Sequence, residues 1–415
     1  MSDILIGQSF HLRFDEKNWE MKQPYPPLAP LYAASVLREK GYDVAFHDAM
    51  LARSTDEWAD RLDRHNPEVA LLYDDNFNFL TKMCLLRMRR AAFTMMQMAQ
   101  ARDCTVVVCS SDASDRKEQY LANGADYVLV GEGEPALAEL MDHLTGRGDK
   151  PIGEIEGLAY GGPETDGGVR TTGPRPVIRN LDVLPFPAWD LIDMDRYKSI
   201  HYENHGFFSL NMVTSRGCTF GCSWCAKPIW GRHYNARSPE NVVEEMQMLK
   251  DAYDPDHLWF MDDMMGIQPD WMSRFADEVE EKDVRIPFKC LNRVDLLLRD
   301  GQVDALERAG CQIVWSGVES GSQKVLDAMD KGITVDQTRE ATRRLKEAGI
   351  DVGFFLQFGY PGETREDIEQ TFQLVHDCRP DQIGVSVTYP LPGTKFYEEI
   401  RDQLDGKQNW TDPDD

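Results

Sequence analysis

The chain has 415 residues, 42% of them hydrophobic, and a formal net charge of -26. This length exceeds what one hydrophobic core usually serves, so it predicts two domains. The acidic balance argues against a nucleic-acid partner, because binding to phosphates depends on clustered Lys and Arg. No apolar run approaches the roughly 20 residues of a membrane span, and the first residues lack a signal-peptide pattern, so we expect a cytoplasmic protein.

Short apolar runs alternate with helical patterns along the first 145 residues. Uniformly apolar strands separated by helices indicate a doubly wound, Rossmann-like parallel sheet. The predicted strands are residues 4–7, 43–47, 69–72, 105–109 and 127–130, and the predicted helices are residues 28–40, 79–102 and 115–123, with another from about residue 135.

Polar residues follow each of these strands, where parallel sheets bind ligands. His47 lacks the neighbouring glycine that would mark it as part of a metal-binding histidine motif. We therefore interpret it as a strand-end histidine whose ring has a hydrogen-bond partner within the protein. The strand-end residues are Gln8, Ser9, His47, Asp48, Asp74, Asp75, Asn76, Ser110, Ser111, Gly131, Glu132, Gly133 and Glu134.

Two groups of soft side chains are interpreted as core. Methionine fills irregular gaps and a free cysteine behaves as a small apolar residue. The methionines concentrate in the second predicted helix, residues 79–102, and the cysteines are scattered and flanked mostly by apolar residues. They are Met83, Met88, Met95, Met96 and Met98, and Cys84, Cys104, Cys109, Cys290, Cys311 and Cys378.

Residues 146–205 read as a linker between the domains, because Gly, Pro and Thr interrupt the pattern. The segment 184–190, Leu-Pro-Phe-Pro-Ala-Trp-Asp, is too aromatic for a flexible tether, so we expect it to pack across both domains.

Cys218, Cys222 and Cys225 form a CxxxCxxC motif with no fourth cysteine nearby. Three thiolates can hold an iron-sulfur cluster with one iron left open, whereas electron-transfer clusters normally have four ligands. Gly217 and Gly221 are expected to give the loop its tight turns. Structural zinc is the alternative, but it requires four ligands.

Six strand-helix units follow from residue 206 to about residue 400 and predict a partial (β/α)6 barrel, with too little chain for a closed eightfold barrel. Ser238 and Pro239 are expected to start the first helix as N-cap and N1. The predicted strands are residues 208–214, 257–261, 288–292, 312–317, 352–358 and 382–388.

The cysteine loop, with Trp224 just before the third cysteine, resembles the radical S-adenosylmethionine (SAM) enzymes. The Pro-Phe-Pro-Ala-Trp linker and Gly131-Glu132-Gly133-Glu134 resemble the subgroup with an N-terminal cobalamin-binding domain. One departure is the missing Asp-x-His-x-x-Gly motif, which supplies a cobalt ligand in other cobalamin proteins.

The resemblance implies three cofactors, a [4Fe-4S] cluster, SAM and cobalamin, and a set of residues for each. The cluster ligands are Cys218, Cys222 and Cys225. Arg293 is weighed both as a partner of the SAM carboxylate and as a structural ion pair with Asp295. The SAM residues are Trp224, Asp262, Asp263, Arg293, Glu319, Ser320 and Gln357, and the cobalamin residues are Ser9, Ser110, Ser111, Gly131, Glu132, Gly133 and Glu134.

The implied function is methylation of an unactivated carbon of a small-molecule substrate, with an electron donor such as flavodoxin or ferredoxin. The alternative within the superfamily is a cyclase or rearrangement enzyme of the tetrapyrrole type. A non-catalytic cobalamin or redox sensor is the alternative of another class. A methylthiotransferase is disfavoured, because it needs N-terminal cysteines and none precedes Cys84. The tail, residues 401–415, is expected to end a short protein or a truncated chain.

Overall fold

The computed structural model describes residues 3–77, 85–161, 168–227, 229–391 and 393–404. All five strands predicted for the N-terminal domain are present, with ends that differ by one residue at most. The strands of this domain are β1 (Ile4–Gly7), β2 (Val44–Phe46), β3 (Val69–Tyr73), β4 (Thr105–Cys109), β5 (Tyr127–Leu129), β6 (Leu158–Tyr160) and β7 (Arg170–Thr171).

These strands form one sheet in the order β2-β1-β3-β4-β5-β6-β7. The first five pair in parallel, so the doubly wound prediction is confirmed. Strands β6 and β7 add antiparallel at the β5 edge. The boundary predicted at residue 145 is therefore too early, because β6 and β7 belong to the N-terminal sheet instead of a linker.

Helices cover both faces of this sheet. The first part of the long predicted helix, residues 79–84 with Met83 and Cys84, lies outside the described residues. The single helix predicted at 115–123 is replaced by two short helices in the structure. The helices are α1 (Glu16–Met21), α2 (Leu28–Glu39), α3 (Asp56–His65), α4 (Leu85–Gln100), α5 (Ser111–Asp115), α6 (Lys117–Ala122) and α7 (Glu134–Leu144).

Most of the methionines and cysteines predicted as core are buried where they are described, and Met98 is half-buried. On helix α4, Met88, Met95 and Met96 are at most 6% exposed, so the packing interpretation holds for them. Among the scattered cysteines, four are buried and Cys378 is half-buried. The buried ones are Cys104, Cys109, Cys290 and Cys311.

The segment between the domains contains helix α8 (Met194–His205) and contacts both sides. Ser35 of α2 donates to the Phe186 carbonyl at 2.6 Å. The Trp189 indole N–H donates to Glu245 of the second domain at 3.0 Å. The aromatic segment 184–190 therefore joins the two domains through buried hydrogen bonds.

The second domain contains six parallel strands in the order β15-β14-β13-β12-β11-β8, as a partial (β/α)6 barrel requires. A separate two-stranded ladder, β9 and β10, stands at its mouth. The strands are β8 (Ser209–Met212), β9 (Ser215–Arg216), β10 (Asn235–Ala236), β11 (His257–Phe260), β12 (Phe288–Asn292), β13 (Cys311–Glu319), β14 (Asp351–Phe358) and β15 (Gln382–Val387).

The barrel helices alternate with these strands. Ser238 caps the first of them, since its side chain accepts from the Asn241 N–H at 3.2 Å, with Pro239 in the first turn as predicted. The helices are α9 (Pro239–Tyr253), α10 (Trp271–Glu281), α11 (Val294–Leu297), α12 (Gln302–Ala309), α13 (Gln323–Ala328), α14 (Val335–Glu347), α15 (Arg365–Cys378) and α16 (Lys395–Ile400). In the described part of the chain, no helix is long and apolar enough to cross a membrane.

Candidate active site

The three cysteines lie in a loop, residues 217–234, that the β9–β10 ladder closes at its base. Gly217 begins this cluster loop with φ +81, and a Cβ there would overlap the His233 carbonyl oxygen. Glycine is therefore required at this position, as predicted. Gly221, for which the same was expected, does not adopt a left-handed φ. Lys227 donates to the carbonyls of Cys218, at 2.7 Å, and of Phe220, which ties the loop to itself.

A cavity of about 170 Å³ opens at the carboxyl ends of the barrel strands, and all three cysteines line it. Three more predicted SAM residues, Asp263, Arg293 and Glu319, line the same cavity. Trp224, the aromatic residue before the third cysteine, completes that wall. The structure thus brings together seven predicted residues that come from four different parts of the chain.

The three thiols must lose their protons before they can bind a metal cluster. Burial raises the pKa of Cys218, and it raises the pKa of Cys225 to about 12, against the opposing charge of Lys227. Thiolate is the ligand form, so cluster assembly releases protons from these groups. In the described residues, no three His, Cys, Asp or Glu side chains form a group that could hold a metal ion. The thiols instead line a cavity, as a multi-iron cluster needs.

Arg293 makes the structural ion pair that the sequence left open, with its Nε 2.9 Å from Asp295. Its other donors reach the Lys331 carbonyl at 2.9 Å and the Cys222 sulfur at 4.0 Å, and its guanidinium lies 3.7 Å over the Phe220 ring. The side chain is 3% exposed. Arg293 is therefore held rigidly with one face toward the cluster loop, and its role toward SAM stays a prediction.

Glu319 ends strand β13 in a left-handed conformation, φ +62, which directs its carboxylate into the cavity. Lys331 pairs with it at 2.7 Å, and both side chains are almost fully buried. Burial lowers the pKa of Lys331, but the attraction of Glu319 and Cys222 outweighs it, so the pKa is raised and the ammonium stays charged. Sequence reasoning missed Lys331; its only signal is a lysine beside glycine 12 positions after Glu319.

The other predicted SAM residues differ in what they contact. Asp262 is buried away from the cavity and accepts from Thr214 and Ser215, the residues that lead into the cluster loop, at 2.6–3.0 Å. Burial raises its pKa to about 6. Ser320 contacts Thr371 of helix α15 at 3.1 Å, on the outer side of the barrel. Gln357 is buried, and its side-chain oxygen has no partner.

Two aromatic side chains of the barrel strands also line the cavity, one from the segment 355–364 that resembles the adenine-side loop of the family and one, Trp315, that sequence reasoning missed. Trp315 of β13 and Phe355 of β14 stack with ring centroids 4.6 Å apart. Both line the cavity, and Phe355 remains 39% exposed. An apolar wall of this kind favours the bound organic part of a cofactor or substrate over water.

The predicted cobalamin serines have internal partners. Ser9 donates to Asp74 at 2.9 Å, and its backbone N–H reaches the same carboxylate at 2.7 Å. Ser110 caps helix α5, because its side chain accepts from the Ala113 N–H. Ser111 is the first residue of that helix and is buried.

The Gly131-Glu132-Gly133-Glu134 segment meets the second domain directly. Glu132 and Glu134 bind the guanidinium of Arg216 at 2.5 and 2.8 Å, and all three side chains are 4% exposed. Gly131 has a left-handed φ of +82, and a Cβ on Gly133 would lie 2.6 Å from the Cys109 sulfur. The carboxylates of this motif are therefore committed to Arg216, and the Gly131 N–H donates to the Ser114 hydroxyl at 3.3 Å.

Buried polar atoms without a partner cluster where strands β1, β2 and β3 end. Gln8, His11, His47 and Asn76 are at most 3% exposed, yet each has an unpartnered side-chain atom. Burial lowers the pKa of His47 to about 3, so its ring is neutral. The Nε2 atom of His47 lacks the internal hydrogen-bond partner that was expected for this side chain. Such atoms are costly unless something binds them.

Residues 212–375 match the family described as the Radical SAM superfamily. An uncharacterized methyltransferase of Pyrococcus horikoshii is 32% identical over 69% of this chain and 60% of its own length. The anaerobic magnesium-protoporphyrin IX monomethyl ester cyclase of Rubrivivax gelatinosus is 27% identical over 95% of this chain and 70% of its own.

Among solved structures, the radical SAM methyltransferase TsrM of Kitasatospora setae, with cobalamin and a [4Fe-4S] cluster bound, superposes with a TM-score of 0.76. TsrM is 18% identical to this chain, and the superposition covers 99% of this chain and 76% of TsrM. At this identity the similarity is one of fold. Residues 212–375 are therefore a radical SAM domain, and the whole chain shares its fold with TsrM. A radical SAM domain implies a [4Fe-4S] cluster and SAM in the barrel. The chain spans 60% of the length of its first curated relative and 70% of the next.

Proposed function

We propose that this protein is a cobalamin-dependent radical SAM enzyme that methylates an unactivated carbon. The observation that carries the proposal is the cavity at the barrel mouth, where three thiols face Glu319, Asp263 and an aromatic wall. Three cysteine ligands leave one iron of a cluster open to SAM, and the facing residues suit the polar and organic parts of that molecule.

The residues of the cavity have distinct tasks. When bound, the reduced cluster supplies the electron that cleaves SAM into methionine and a 5′-deoxyadenosyl radical, and methylcobalamin supplies the methyl group. Cys218, Cys222 and Cys225 hold the cluster, and Glu319 accepts from the ribose hydroxyls. The stacked pair of Trp315 and Phe355 limits access of water to the reaction.

One observation supports cobalamin binding by the N-terminal domain. Buried polar atoms without a partner occur on Gln8, His11, His47 and Asn76. They lie beyond the carboxyl ends of adjacent parallel strands, where such sheets bind cofactors. A large ligand that carries many amide groups can satisfy both the donors and the acceptors among them. The missing cobalt-ligand motif means that we assign no protein ligand to the metal.

Anaerobic turnover of the cluster-loaded protein tests the proposal. With reductant, SAM and hydroxocobalamin, both 5′-deoxyadenosine and S-adenosylhomocysteine should form, and a Cys311→Ala protein should behave like the wild type. A loaded protein that does not cleave SAM refutes the proposal and favours the sensor. We expect flavodoxin or ferredoxin to serve as reductant in a cytoplasmic setting, and replacement of dithionite by either one tests this.

A cyclase is the second candidate, because the curated relative that aligns over 95% of this chain is a magnesium-protoporphyrin monomethyl ester cyclase. A cyclase does not consume the methyl group of SAM. Formation of 5′-deoxyadenosine without S-adenosylhomocysteine, in protein that has bound cobalamin, would favour it.

A further inference from the structure

Two buried ion pairs connect the N-terminal domain to the cluster loop at its base. Arg216 is the last residue of β9, directly before Gly217 and two residues before Cys218. Its side chain leaves the barrel and reaches Glu132 and Glu134, 84 and 82 positions earlier in the chain. The guanidinium also lies near two rings of the N-terminal domain, at 5.4 Å from Tyr32 and 5.3 Å from Phe77.

Every part of the Glu132–Glu134 segment contributes to this contact. Gly133 allows the segment to lie closely on the ends of β3 and β4, since a Cβ there would meet Tyr73 and Cys109. The second oxygen of Glu132 accepts from the Ile178 N–H at 2.6 Å, so this carboxylate also holds the interdomain segment. The planar fork of Arg216 can bind two carboxylates at once, which a lysine cannot match.

The opposite side of the loop base is held by the barrel. Asp262 accepts from Thr214 and Ser215 directly before Arg216. The start of the cluster loop is therefore fixed from two directions, by Asp262 within its own domain and by Glu132 and Glu134 across the interface. Removal of the interdomain contact leaves a buried charge without its partner and frees one side of the loop base.

We propose that Glu132 and Glu134 are positioning residues that act through Arg216 to set the place of Cys218, and so couple the N-terminal domain to the cluster. This inference rests on the proposed function for the identity of the cluster. It gives the carboxylates of the Gly-Glu-Gly-Glu segment a role in the barrel site, in addition to any contact of its backbone with cobalamin.

The test compares the wild type with E132Q, E134Q, E132Q/E134Q and R216K. The control is D112N, which breaks another buried pair, Arg89–Asp112, whose two partners both belong to the N-terminal domain. Each protein is loaded anaerobically with iron and sulfide. Iron per chain, the EPR spectrum of the reduced cluster with and without SAM, and the thermal midpoint are measured.

We expect E132Q/E134Q to lose at least half of its cluster, or to show an altered EPR response to SAM, with smaller effects in the single variants and R216K. D112N should keep its cluster and the wild-type spectrum even where its thermal midpoint falls as far. A double variant that takes up iron fully and has the wild-type spectra overturns the proposal.

Trypsin cleavage of the cluster-free proteins gives a second readout. Arg232 is exposed within the cluster loop, so cleavage after it reports opening of the loop. We expect roughly tenfold faster cleavage in E132Q/E134Q than in D112N, and equal rates overturn the proposal. Wild-type protein that takes up no iron would refute the proposed function, while these cleavage rates would still decide the role of the ion pairs.

Discussion

Replacement of Lys331 by methionine should destabilise the barrel and weaken SAM binding. Lys331 and Glu319 are 2.7 Å apart, with side chains 7% and 5% exposed. Loss of one partner of such a buried pair costs about 3–5 kcal/mol, because the other charge stays buried. At about 2–4 °C per kcal/mol for a domain of this size, the thermal midpoint should fall by roughly 6–20 °C.

The Lys331–Glu319 pair is expected to contribute less to the free energy of unfolding than the loss caused by K331M suggests. Replacement of both residues, in K331M/E319Q, removes the stranded charge and is expected to recover much of the stability. The double variant should therefore unfold at a higher temperature than K331M. The two single variants, the double variant and the wild type form a cycle that isolates the interaction.

Binding of SAM reports the functional side of the same pair. Glu319 is the proposed acceptor for the ribose hydroxyls, and Lys331 holds its carboxylate in place. We expect K331M to bind SAM roughly 10–100-fold more weakly, a change of about 1.4–2.8 kcal/mol, in equilibrium dialysis of cluster-loaded protein. The reasoning fails if K331M/E319Q is as unstable as K331M, or if K331M binds SAM as the wild type does.

Four other outcomes follow from single sites. Alanine at Cys218, Cys222 or Cys225 should abolish cluster uptake and SAM cleavage, while alanine at Cys311 or Cys378 should not; a Cys218→Ala protein with full iron and activity would contradict this. Burial raises the pKa of Asp74 to about 6, so its protonated form stabilises the fold below about pH 4 and this contribution is lost as the pH rises through 6. Asp74→Asn should flatten the dependence of the unfolding free energy on pH across that window. An unchanged pH dependence in urea melts counts against this expectation. Gly217→Ala should destabilise far more than Gly206→Ala, since both glycines have a positive φ but the second has open space around it; similar thermal midpoints would rule out the overlap with His233. Gln8→Met should raise the thermal midpoint of cofactor-free protein and weaken hydroxocobalamin binding, because it removes two buried unpartnered atoms; a lower midpoint together with unchanged binding would count against a ligand there.

The strands were predictable because their apolar runs are uniform and local. Strand β4, Thr105–Cys109, is a run of Val between turn residues, and it occurs where predicted. Strands β6 and β7 were missed because they have three and two residues in a Gly-rich segment, and only their pairing with β5 defines them. Helix α3 was also missed, although Trp58 and Leu62 are spaced by one helical turn and both are buried.

Within the site, predictability follows sequence distance. The cysteines lie within eight positions, and their spacing alone indicated a common ligand. The partner of Glu319 lies 12 positions away, across helix α13, and no periodicity connects the two. Ser110 shows another limit, because a serine between a strand and a helix can cap the helix or bind a ligand from the same position.

The Gly131–Glu134 segment contains a signal for its observed partner that the sequence analysis did not use. Glu134 begins helix α7, whose N-terminus carries the partial positive charge that would otherwise attract an anionic ligand. With Glu132 two residues earlier, the segment brings two negative charges to one strand end, and burial of such a pair requires a cation. A glycine-rich turn that presents phosphate to a helix would keep its N-terminus free of carboxylates. From the sequence we assigned this segment to cobalamin, but its two carboxylates pair with Arg216, the arginine of the other domain that lies beside the first cysteine.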